Sequence, residues 1–243
     1  MKTTSRLLAP AALIALCTCI PDDTSKPNWG IGQGVVGSND TGSAPGVLVI
    51  GDSLMNGVGP QTMANAIRFF EGTDSVVVAS SGAGVAHFNK PSLIQSANLS
   101  TIQNYQDFFG SIRVTVVALG SNDARIITAE RGVDQLAYTI DEYFQQEELA
   151  VSASLSHSNC VILVNVANHW FAAAPDVVDS INGFIQGLDE QGGRVRKADW
   201  NAFSAPHPEW FLNPGEIHHT PAGSEAYRDF INGKIGEALA SGC

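Results

Sequence analysis

The sequence predicts an α/β fold: a three-layer α/β/α sandwich around an open, mostly parallel, five-stranded sheet. Two observations carry this. From Val47 onward, short apolar runs alternate with longer amphipathic ones, the rhythm of strand–helix–strand units whose helices cover both faces of a sheet. The first four short runs are almost unbroken Val, Ile and Leu, as in strands buried on both sides. At 243 residues the chain is long enough for one sizeable domain of this kind and short for two.

Taken in order, the strands are "VLVI" (47–50), "SVVVA" (75–79), "RVTVVAL" (113–119), "CVILVNV" (160–166) and "GRVRKA" (193–198). Amphipathic spacing predicts helices over 55–70, 94–109, 126–152 and 174–190. A last helix runs from Pro221 to Ala240, with Tyr227, Phe230, Ile231, Ile235 and Leu239 at helical intervals and a proline suited to its first turn.

Ahead of the domain the composition changes. Residues 1–19 place Lys2 and Arg6 before an apolar run and end in small residues, the form of a secretory signal. The run is too short for a permanent membrane span. Cys17 and Cys19 leave two kinds of processing open, plain secretion and a lipoprotein-type signal with lipidation at one of them. Residues 20–45, crowded with Gly, Pro, Ser, Asp and Asn, are expected to form a flexible linker, so the domain is placed at 46–243. Secreted, periplasmic or cell-surface location follows. The net charge of −11 disfavours nucleic acid or an anionic membrane surface as main partner. Cys160 and Cys243 remain in the exported part, and a disulfide between them and two unpaired thiols are both open.

In an open parallel sheet the active site lies beyond the C-terminal strand ends. The residues there are Gly51-Asp52-Ser53, then "SSGAGVAHF" with Gly82 and Gly84, then "GSND" with Asn122, then the long segment ending in "HHTPAG". A serine, glycines, an asparagine and a histidine thus meet on one rim, and these are the parts of a serine acyl-transfer site. A helix start presents free N–H groups and a positive dipole end. Ser53 is therefore expected both to cap its helix and to act as nucleophile. No His/Cys/Asp cluster has metal-ligand spacing, and no cofactor is implied.

"GDSL" (51–54), "GSND" (120–123) and "HHTPAG" (218–223) resemble, in order and spacing, the blocks of the SGNH (GDSL) hydrolase superfamily, and "KADWNAFSAPHPEWF" (197–211) resembles its secreted bacterial members. The resemblance spans about residues 47–240. It implies the flavodoxin-like SGNH hydrolase fold and an acyl-enzyme on Ser53, with no metal or organic cofactor. It assigns His218 as general base and the Ser53 N–H, the Gly84 N–H and the Asn122 amide as oxyanion donors. Gly82 is the alternative to Gly84. The His-x-Thr-x-x-Gly register selects His218 over His219. The substrate implied is a small acyl ester, acetyl included, of a carbohydrate or lipid. The same residues would serve an O-acyltransferase to a cell-wall sugar.

One position departs from the pattern. The superfamily's aspartate three residues before the histidine is replaced by Gly215, with Glu216 one residue nearer and Asn213 two further back. Glu216 as orienting carboxylate, a Ser53–His218 dyad held by a backbone carbonyl, and an impaired binding module are the three outcomes left open.

Overall fold

A computed structural model describes residues 35–38, 46–89, 112–128, 138–168, 174–213 and 216–243. The predicted signal segment 1–19, most of the linker, the 94–109 helix and Gly215 lie outside the described residues. Within them, the elements are β1 (Val35–Ser38), β2 (Val47–Gly51), α1 (Ser53–Val58), α2 (Pro60–Glu71), β3 (Ser75–Ala79), α3 (Val85–Asn89), β4 (Ile112–Ala118), α4 (Ser121–Ile127), α5 (Ile140–His157), β5 (Ser158–Val164), α6 (Pro175–Glu190), β6 (Val195–Ala198), α7 (Trp200–Ser204) and α8 (Pro221–Ala240).

The sheet runs β1-β3-β2-β4-β5-β6. Its last five strands are parallel, with Val49 level with Val77 on one side and Val116 on the other. They follow the doubly wound order in which the chain reverses direction across the sheet between β2 and β4. The sixth strand, β1, pairs antiparallel with β3 and lies inside the segment expected to be linker. It joins the edge through its backbone, so a short Gly-flanked "VVGS" carried no apolar run to announce it. Helices α2 and α8 cover one face, and α3, α5 and α6 the other. Leu48, Ile50, Val77, Val116 and Leu163 are fully enclosed between them, each contributing about 1.5–3 kcal/mol of burial.

Two helix boundaries differ from expectation. The 55–70 helix is two helices, broken at Gly59, whose φ of 86° only glycine adopts readily, with Pro60 opening α2. The 126–152 helix is also two, α4 ending at Ile127 and α5 starting at Ile140 behind a capping box of Thr139 and Glu142. Cys160 of β5 and Cys243 form a disulfide with 5.4 Å between Cα atoms, tying the end of α8 to the sheet.

Candidate active site

β2 delivers the first corner. A side chain on Gly51 would meet Met55 Cβ at 2.5 Å, so the strand-to-helix turn closes tightly only with glycine there. The cap of α1 is Asp52, whose carboxylate accepts the Leu54 N–H at 2.9 Å. This corrects the expectation that Ser53 caps its own helix. Ser53 is the first helical residue, and the capping duty falls to a stronger acceptor beside it.

The histidine arrives from the far end of the chain. Between the 3₁₀ turn Pro208–Trp210 and α8, the backbone folds back so that Phe211 bridges His219 and the Thr220 N–H donates to the Trp210 carbonyl at 2.8 Å. Gly223 makes the return possible, since a Cβ there would lie 2.1 Å from the Trp210 oxygen. Thr220 caps α8 through the Gly223 N–H. The consequence is that His218 Nε2 stands 3.1 Å from Ser53 Oγ. His219 points elsewhere, with its ring against Trp200, Phe211 and Tyr227. On the other side of His218, Nδ1 is 3.5 Å from Glu216 Oε2, an ion-pair separation longer than a hydrogen bond.

The predicted oxyanion donors lie in buried surroundings. The loop after β3 is pinned to the nucleophile strand by the Ser80 N–H on the Gly51 carbonyl. The Val85 N–H donates to Asp123 Oδ1 at 2.9 Å, and the Tyr138 hydroxyl donates to the same oxygen. The Gly84 N–H donates to His87 Nδ1 at 2.8 Å. The Asn122 amide donates to Asp52 Oδ2 at 3.2 Å and to the Ala83 carbonyl at 3.1 Å. Both donors are therefore engaged within the protein. Gly82, the alternative, has a φ of 80° in the turn just before them.

These groups crowd three acids into the interior. Burial pushes the Asp52 carboxyl up to about 7, opposed by the Leu54 N–H, with the nearby charge of Asp123 adding to the rise. Burial also raises Asp123, against its bonds from Tyr138 and Val85. Glu147 on α5 is pushed up to about 8, again mainly by burial and then by Asp123. Nothing in the spacing marked His87, or Glu147 within the polar run Gln145-Gln146-Glu147-Glu148. A favoured N-cap type ahead of an amphipathic run could have identified Asp52.

Between the end of α1 and the start of α8 lies a cleft of 390 Å³ lined by Gly57, Val58, Thr62, His219, Pro221, Ser224, Glu225 and Arg228, and by neither Ser53 nor His218. Among the described residues, no group of three or more His, Cys, Asp and Glu is placed to hold a metal ion, and no helix is long and apolar enough to cross a membrane.

No protein-family model and no curated protein match the sequence. Solved structures do. The C-terminal catalytic domain of peptidoglycan O-acetyltransferase A from Streptococcus pneumoniae, solved with a methylsulfonyl adduct, is 19% identical with a TM-score of 0.55, covering 82% of this chain and 97% of that one. An acetylxylan esterase from Geobacillus stearothermophilus is 15% identical with a TM-score of 0.55, over 80% and 95%. A putative GDSL-like lipase from Parabacteroides merdae is 12% identical with a TM-score of 0.58, over 81% and 97%. The chain has the SGNH hydrolase fold of these structures.

Proposed function

We propose that the chain is an exported serine ester hydrolase acting on small acyl esters of a carbohydrate. The observation that carries this is the 3.1 Å separation of Ser53 Oγ and His218 Nε2, made by residues 165 apart in sequence at the point where the sheet reverses. Nε2 takes the hydroxyl proton as Oγ attacks the ester carbonyl, and an oxyanion forms on the carbonyl oxygen. Collapse breaks the ester bond, and His218 gives its proton to the departing alcohol. Water then repeats the sequence on the acyl-enzyme, releasing acid and restoring Ser53. Glu216 stands on the far side of the ring, its Oε2 3.5 Å from Nδ1.

The acetylated-carbohydrate chemistry named for two of the structural neighbours supports this substrate class. The Cys160–Cys243 disulfide supports export, since such bonds persist in oxidising compartments. A fluorophosphonate probe tests the core of the proposal. The wild type is expected to label and to hydrolyse p-nitrophenyl acetate, and Ser53→Ala to do neither. Equal labelling of both would discard the serine. The O-acetyltransferase neighbour favours one second reading, transfer to a sugar hydroxyl, which product analysis with a sugar acceptor present would separate from hydrolysis.

A further inference from the structure

We propose that His87 is a positioning residue that holds the oxyanion loop unassembled between turnovers. Its Nδ1 occupies the Gly84 N–H, and the hole is completed only when a developing oxyanion draws that hydrogen away. The inference rests on the hydrolase reading above and concerns how its site is controlled.

The grip is specific. The His87 ring is 2% exposed and receives the Gly84 N–H at 2.8 Å on Nδ1, which places the ring proton on Nε2. The next amide, Val85, is held by Asp123, and a Cβ on Gly84 would lie 2.5 Å from that carboxylate. The loop is thus clamped against α4 while its donor points into α3. Asn122, the other predicted donor outside the nucleophile, is engaged by Asp52 and Ala83. Burial explains the arrangement, because a donor enclosed without water must find some acceptor. In the resting protein a neutral imidazole serves. One N–H cannot serve two acceptors at full strength, so part of the oxyanion's stabilisation is spent breaking the resting bond. The exchange still runs forward, since hydrogen bonds to a charged acceptor are about twice as strong as neutral ones.

The consequence is unusual for a buried histidine: deleting its acceptor should speed the reaction. His87→Phe keeps a ring in place and removes Nδ1. It is expected to raise kcat for p-nitrophenyl acetate about 2- to 10-fold, the worth of one neutral hydrogen bond, with KM unchanged. His87→Asn, which can place an acceptor where Nδ1 stood, should lose that gain. A merely structural histidine would give slower, less stable variants in both cases, and that result overturns the proposal. A measurement on the unaltered protein decides the matter even where the Phe variant does not fold. In 15N-labelled protein a coupling across the hydrogen bond joins the Gly84 nitrogen to His87 Nδ1. It should be present in the free enzyme and lost once Ser53 has displaced fluoride from a fluorophosphonate and the adduct's polarised phosphoryl oxygen occupies the hole. Absence of the coupling in the free protein, or its persistence in the modified one, overturns the grip of His87. Failure of the probe to modify Ser53 overturns the hydrolase reading instead.

Discussion

On one flank of Ser53 stand His218 and Glu216, with 40% and 47% of their side chains exposed. On the other stand Asp52, Asn122, Asp123 and His87, none more than 6% exposed. The histidine flank is placed by backbone: a folded-back segment, a bridge between Phe211 and His219, and a glycine that lets Trp210 approach α8. The donor flank is placed by side chains, each bonded to another enclosed group. A site assembled by backbone tolerates the loss of a side-chain partner. A site assembled by buried polar groups does not, because each deletion leaves another group unsatisfied; His87 is the exception, since the oxyanion itself takes up the N–H that His87 releases.

The largest effect should come from Gly84→Ala. The added methyl would press on the Asp123 carboxylate, which cannot yield without releasing Val85 and Tyr138. Hydrolysis of p-nitrophenyl acetate is expected to fall about 10²- to 10³-fold, the cost of losing one oxyanion donor. The melting temperature should drop by several degrees, as for an overpacked site costing 1–3 kcal/mol. Unchanged activity would move the donor role to Gly82.

The second effect is on stability and separates the flanks by pH. Asp52 is held at about 7 against an ordinary 3.8, and Glu147 at about 8 against 4.5. Each binds its proton more tightly folded than unfolded, so each favours the fold fully below pH 4. That advantage is lost as pH rises through 7 and 8. Thermal melts should show the protein less stable at pH 9 than at pH 5. Asp52→Asn, neutral throughout, should flatten the decline. A stability rising from pH 5 to 9 would mean that these carboxyls are not enclosed as described.

The same contrast explains what was legible in the sequence. Strands β2, β3, β4 and β5 announced themselves because burial on both faces leaves an unbroken apolar run. Ser53, Asn122 and His218 stood out as candidates because topology puts strand ends on one rim and short blocks mark them. The edge strand β1 was hidden, since backbone pairing needs no particular side chains. His87, Asp123 and Glu147 were hidden for a related reason. Their roles depend on which helix packs on which, a three-dimensional fact with no spacing rule. Thr139 and Glu142 were a missed signal of another kind, a readable capping box overlooked inside a long amphipathic run.

The smallest expected effect tests the exposed flank. Glu216 stands where the usual aspartate is displaced by one residue, 3.5 Å from His218 Nδ1 and open to solvent. Exposed ion pairs are worth about 0–1 kcal/mol, so Glu216→Gln should slow kcat no more than about 5-fold. High salt should reproduce part of that loss in the wild type, because about 1 M salt screens charges beyond roughly 3 Å. A buried orienting aspartate behaves differently, its amide replacement costing about 10⁴-fold. A loss of that size at Glu216 would show that the carboxylate closes onto His218 during the reaction. The two flanks would then be equally dependent on their side chains. A loss within 5-fold would leave the backbone segment from Trp210 to Thr220 as what aims the imidazole at Ser53.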